Sequence, residues 1–151
     1  MMKIVIYINN KKYNPEINPE TTLYDLVRSL GYLGVKKGCD TTNCGLCTLW
    51  VEGKPILSCS YLAAKCDGLH ITTIEGVQEE ISVIAEFFGN EGAEQCGFCS
   101  PGLMMTVLAM KKELVDPTEA EINNYLAGNL CRCTGYMSHM RAIKKYLEVA
   151  E

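Results

Sequence analysis

The first half of the chain alternates apolar and polar positions over short runs, as strands do. Lys3–Ile8 reads as a strand, Asn9-Asn10-Lys11-Lys12 as a turn, and Tyr13–Ile17 as the strand that pairs back. Thr22 followed three positions later by Asp25 marks a helix start. Leu23, Leu26, Val27 and Leu30 then form one apolar stripe, which Gly31 ends. Cys47–Val51 and Pro55–Leu57 about Gly53 predict a second hairpin, and Leu69–Ile74 a last strand rich in Ile and Thr. A hairpin, a helix and further strands predict an α+β domain.

Beyond residue 76 the period lengthens to that of helices. Ile81, Ile84, Phe87 and Phe88 share a face closed by Gly89. Ser100-Pro101 reads as an N-cap followed by proline at the first helical position. Leu103, Val107, Met110 and Leu114 face one way, with Met104 and Leu108 beside them. Asp116-Pro117-Thr118-Glu119 repeats the start signal, Ile122, Tyr125 and Leu126 face inward, and Gly128 stops that helix. Tyr136, Met140, Ile143 and Leu147 define the last helix. Four such helices predict a small bundle, with the domain boundary near Gly76-Val77.

Composition narrows the function classes. With 151 residues, 48% of them apolar, the chain can bury a core. Its net charge of −4 disfavours a generic nucleic-acid binder. No apolar run approaches the roughly 18 residues of a membrane span. The N-terminal segment has five consecutive apolar residues and no small-residue cleavage site, so it reads as a strand and not as a signal peptide. A cytoplasmic protein is expected. The nine cysteines are odd in number and sparser than the roughly 8–10% of disulfide scaffolds. At this density, without a secretory signal, cysteines serve more often as metal ligands than as disulfides.

The first cysteine group is Cys39, Cys44, Cys47 and Cys59, spaced C-x4-C-x2-C-x11-C. A loop that turns three sulfurs inward needs the backbone freedom of Gly38 and Gly45. This spacing is that of plant-type [2Fe–2S] proteins. A zinc ribbon usually shows two C-x2-C knuckles, and a Rieske centre needs two histidines. The chain's two histidines, His70 and His139, both lie outside this loop. The second group is Cys96-Gly-Phe-Cys99 and Cys131-Arg-Cys133, with 31 residues between the pairs. Either pair alone is a weak signal: C-x2-C also marks redox dithiols and half zinc sites. Each pair precedes a helix, whose N-terminus would favour the negative charge of thiolates around a cluster.

Together, the segments GCDTTNCGLCTLWVEGKPILSC, QCGFCSPGLMM and PTEAEINNYLAGNLCRCTGY make the chain resemble the iron–sulfur subunit of the molybdenum hydroxylase family. That family includes xanthine dehydrogenase, aldehyde oxidoreductase, aerobic carbon monoxide dehydrogenase and 4-hydroxybenzoyl-CoA reductase. The resemblance implies an N-terminal β-grasp plant-ferredoxin-like domain over residues 1–76. It implies an all-α four-helix [2Fe–2S]-binding domain over residues 77–151. It implies ligation of one cluster by Cys39, Cys44, Cys47 and Cys59, and of another by Cys96, Cys99, Cys131 and Cys133. Gln95 and Cys133 are then expected near the pterin cofactor. The implied role is electron relay between a molybdopterin subunit and an FAD subunit, in a heterotrimer that dimerises, with no substrate site on this chain. Two positions depart from the common pattern: Thr42, where many members carry glycine, and Leu46, where alanine is usual. Cys66 matches no ligand position and is expected to tolerate serine.

The remaining polar and large residues have plainer readings. His70 and His139 read as structural or solvated, Trp50 as packing, and Arg132 as a surface cation or a partner for cluster charge. Met104, Met105 and Met110 read as core and subunit-contact residues, with Met105 expected at the contact with the molybdenum subunit.

Overall fold

The computed structural model describes residues 1–148, and the last three residues of the expected C-terminal domain lie outside them. The elements run β1 (Met2–Lys3), β2 (Ile6–Ile8), β3 (Lys11–Tyr13), β4 (Glu16–Ile17), α1 (Leu23–Ser29), β5 (Thr48–Val51), β6 (Lys54–Leu57), β7 (His70–Thr72), α2 (Gln78–Asn90), α3 (Ser100–Glu113), α4 (Glu119–Leu126) and α5 (Met137–Leu147). The α+β architecture expected from the pattern is therefore present, with strands in the first half and four helices in the second.

The first strand is split. Its start pairs with β4 in a two-stranded sheet, while β2 pairs with β3. The tight turn is Asn9-Asn10 alone, both with positive φ (49° and 66°), so Lys11 and Lys12 belong to β3. Asparagine tolerates that backbone region, and two such residues make the mirror-image turn that matches strand twist. Glu52-Gly53 does the same for β5–β6. The five-stranded sheet has the order β3-β2-β7-β5-β6, with β2 and β7 parallel and the other pairs antiparallel. The last strand is shorter than expected, because Ile74–Gly76 turns into a 3-10 helix.

Helix α1 begins as its sequence predicts: the Thr22 hydroxyl accepts from the Asp25 N–H. Leu23, Leu26 and Val27 bury against Ile4, Ile6, Ile8, Leu49 and Ile71, forming one core. Cys66 is fully buried there. A second core joins α2, α3 and α5, and includes Trp50 from β5.

Several helix details differ from the periodic reading. Helix α2 runs through Gly89 to Asn90. Helix α3 is capped by Cys99, which places Ser100 inside the helix and Pro101 at its second position. In α5 the buried face is His139, Ala142, Ile143 and Tyr146, and Tyr136 is the left-handed residue before the helix. The largest difference is α3, whose residues Gly102–Met110 are all buried. One side packs on α2 and α4, and the other on the β5–β6 hairpin. Gly102 allows a further close approach, to the loop just before β5. A Cβ on Gly102 would lie 2.9 Å from Leu46 Cα, and closer still to the Gly45 carbonyl oxygen. Met105 is wholly buried within the chain, so it forms no contact surface.

Trp50 fastens the two halves. Its indole N–H donates to the Met105 carbonyl (3.1 Å), and the Lys112 ammonium lies 4.1 Å from its ring centroid. Trp50→Phe removes the donor while keeping most of the apolar area. The expected loss is about 1–2 kcal/mol, read as a lower temperature of thermal unfolding by calorimetry. An unchanged midpoint would show that the bond contributes nothing net.

Candidate metal centres

The first cysteine loop follows α1 and is pinned at both ends. The Arg28 guanidinium donates to the carbonyls of Leu33 (3.0 Å) and Val35 (2.8 Å) before the loop. After it, the Thr48 hydroxyl donates to the Gly45 carbonyl (2.7 Å). Inside the curl, the Cys39 sulfur faces the N–H groups of Asn43, Thr41 and Cys44, and the Cys44 sulfur those of Leu46 and Gly38. Ser58 donates to the Cys47 carbonyl (2.7 Å), which ties Cys47 to the 3-10 turn Ser58–Ser60 carrying Cys59. The turn needs a positive φ at Thr42 (57°) as well as at Gly45 (73°). Glycine meets that requirement without strain and a β-branched threonine does not.

Thiol ionisation reports the same convergence. The Asn43 N–H, the Cys44 thiol and the Thr41 N–H hold Cys39 down to about 6. Burial, then the neighbouring Cys47, pushes Cys59 up to about 12. Burial also raises Cys44. Cys47, Cys39 and Cys44 all oppose the ionisation of Cys59, so the four sulfurs lie close together, a donor set suited to a positive charge between them. Cys66 is raised to about 11 by burial alone and belongs to no such set.

The second group is brought together by two loops. Gly97 (φ 71°) turns the C-x2-C segment, and Gly135 and Tyr136 (φ 65° and 69°) turn the chain after the C-x-C pair. Cys96 and Cys133 have sulfurs 3.5 Å apart. The ligand atoms of Cys99, Cys131 and His139 all lie within 4.8 Å of one another. Cys99 stands at the N-terminus of the fourteen-residue α3, as expected. At the other pair, the Cys131 sulfur is met by the N–H groups of Thr134 and Cys133 in the loop.

Burial, then Cys131, raises Cys99 to about 12. Burial also pushes the Cys131 thiol up, but the Thr134 hydroxyl, the two loop N–H groups and Cys99 outweigh it, and its pKa falls. Cys133 is raised, first by the Cys96 thiol. Cys96 also opposes the ionisation of Cys99, and Cys131 that of Cys133, so the two pairs face one another, and four thiols so placed fit an iron–sulfur cluster.

The two groups adjoin. A cavity of about 590 Å³ is lined by Cys39 and Cys44 and by all four cysteines of the second group. The Leu130 N–H, one residue before Cys131, donates to the Cys44 carbonyl (2.8 Å). Leu46 lines this cavity and is itself buried. Cys44 and Cys47 are buried, whereas Cys96 and Cys133 are exposed, as are Gln95 and Arg132. Of the two readings the sequence leaves for His139, structural or solvated, the structure takes the first. The imidazole is buried, with Nε2 2.9 Å from the Ala93 carbonyl and Nδ1 3.4 Å from the Thr134 hydroxyl. His70 is exposed and stacks on Tyr7.

A β-grasp-like domain and a four-helix domain, each presenting four cysteines, define an iron–sulfur electron-transfer protein. Comparisons with known proteins agree. A [2Fe-2S] binding domain model matches residues 73–144. The xanthine dehydrogenase iron-sulfur-binding subunit of Escherichia coli O157:H7 is 45% identical over 136 residues, covering 85% of this chain and 84% of the relative. The nicotinate dehydrogenase small FeS subunit of Eubacterium barkeri is 39% identical over 153 residues, covering 98% of each. The crystal structure of quinoline 2-oxidoreductase from Pseudomonas putida 86 superposes with a TM-score of 0.88 at 34% identity, covering 97% of this chain and 92% of that one. The chain belongs to the small iron–sulfur subunits of the molybdenum hydroxylase family, and is an electron-transfer subunit of an oxidoreductase. Among the described residues, no helix is long and apolar enough to cross a membrane.

Proposed function

We propose that this subunit relays electrons between a molybdopterin centre and FAD, each on a partner subunit, through two [2Fe–2S] clusters. Cys39, Cys44, Cys47 and Cys59 hold the first, within a domain of residues 1–76. Cys96, Cys99, Cys131 and Cys133 hold the second, within a domain of residues 77–151. The observation that carries this reading is the gathering of all eight cysteines around two adjoining centres, in a chain of this family. Two separate cores favour the two-domain division. When bound, such clusters take up and release one electron each, and the protein tunes their potentials through sulfur hydrogen bonds, burial and charge.

The order of relay follows from exposure and from the family. Gln95 and Cys133 face solvent beside the second group, and they are the positions that the family places near the pterin. Electrons then pass from molybdenum to the second centre, to the first, and to FAD, or in reverse in a reductase. Phe98 and Met137, 48% and 69% exposed, take the contact role first expected of Met105. The proposed assembly is a heterotrimer that dimerises, in the cytoplasm.

The test is metal analysis of the purified complex. About four irons and four sulfides per chain are expected, with two distinct rhombic paramagnetic signals after reduction. Two irons in a fully loaded sample, or stoichiometric zinc in a colourless one, would refute the reading.

A further inference from the structure

Among the described residues, one hydroxyl reaches a cysteine sulfur: Thr134 Oγ1 donates to Cys131 Sγ at 3.2 Å. That hydroxyl is held in place, because the Tyr136 N–H donates to the same oxygen at 3.2 Å. Its single proton has a second acceptor within reach, His139 Nδ1 at 3.4 Å. The Ala93 carbonyl can only accept, so His139 Nε2 carries the ring proton and Nδ1 is bare. The hydroxyl thus sits between two acceptors, with the sulfur the nearer.

We propose that Thr134 is a positioning residue that sets the potential of the second centre: its hydroxyl donates to Cys131 Sγ and stabilises the reduced state over the oxidised one. This rests on the reading of Cys131 as a cluster ligand. When one electron arrives from the donor subunit, Cys131 Sγ gains negative charge and becomes the better acceptor. The O–H group turns fully toward it, and no bond to hydrogen breaks. Hydrogen bonds to charged acceptors are the stronger kind, so the stabilisation grows on reduction.

The experiment is a redox titration of the assembled complex, followed by paramagnetic resonance, with Thr134→Val, Thr134→Ala and Thr134→Ser variants. Valine keeps the shape and removes the hydroxyl. At fixed potential it should lower the ratio of reduced to oxidised second centre about tenfold, which for one electron is about 59 mV. Serine should restore most of the wild-type ratio, and the first centre's midpoint should not move. The second centre is the one whose signal Cys131→Ser removes. An unchanged ratio in valine, or an equal shift in serine, overturns the proposal and leaves the ligand assignment standing. If valine fails to load the second centre, alanine measured against serine isolates the hydroxyl. Loss of that centre in both valine and alanine also overturns the proposal, since the hydroxyl would then hold the loop. A shift confined to the other signal instead overturns the assignment of Cys131.

Discussion

Cys59→Ser should remove one paramagnetic signal and about half of the iron, while Cys131→Ser removes the other signal and the other half. The expected fall in each is from about four irons per chain to about two. Cys59 and Cys131 belong to different sulfur sets, the first raised by Cys47 and the second in contact with Cys99. A serine hydroxyl at either position keeps the volume but not the thiolate that holds iron. Cys66→Ser is the control. Cys66 is wholly buried among apolar residues, and burial alone raises its thiol. Serine there should keep both signals and cost about 1–3 kcal/mol of stability, because a hydroxyl enters the core without a partner. Loss of a signal in Cys66→Ser, with both retained in Cys59→Ser, would reverse the ligand assignment.

Gly102→Val should be the most damaging change outside the cysteines. Even a Cβ at this position meets backbone atoms, with Leu46 Cα at 2.9 Å and the Gly45 carbonyl oxygen nearer. That carbonyl also accepts from the Thr48 N–H (3.2 Å), the Thr48 hydroxyl (2.7 Å) and Asn129 Nδ2 (3.5 Å). Pushing it aside disturbs three hydrogen bonds and the loop between Cys44 and Cys47. The expected cost is at least about 3 kcal/mol. In a chain of this size that lowers the temperature at which visible cluster absorbance is lost by about 6–12 °C. A midpoint within a degree of wild type would show that α3 can slide away from the Gly45–Leu46 loop at little cost.

Local chemistry was legible in the sequence where neighbours along the chain decide the outcome. The turn at Asn9, read two residues too long, the Thr22 cap and the hairpin at Gly53 each follow from residues within a few positions. The first cysteine group is also largely local, so its spacing alone points to a plant-type [2Fe–2S] loop. The second group is not, since its two pairs meet across 31 residues and each pair alone is ambiguous. Only the resemblance joined them. Helix α3 reads as one-sided because Gly102, Thr106 and Ala109 carry little apolar signal, yet all three are buried, and Gly102 is what lets the Gly45–Leu46 loop approach. Ser100 reads as the cap because serine prefers that position, but Cys99 takes it. No periodicity marks Thr134, whose contact with Cys131 arises only when the loop before α5 curls back toward the C-x-C pair, nor the Ala93 carbonyl as the partner of His139 within α5.

The close approach of Gly45 to Gly128 and Asn129, and of Gly102 to Leu46, is made largely by main chain. Side chains at an interface can change together over generations and keep their fit; main-chain atoms in contact offer no such freedom. A hybrid joining the first half of this chain to the helical half of a relative must therefore carry glycine at both 45 and 102, whatever else it varies. The seam between the halves constrains inheritance more tightly than either core, and recombination should succeed only among chains that share it.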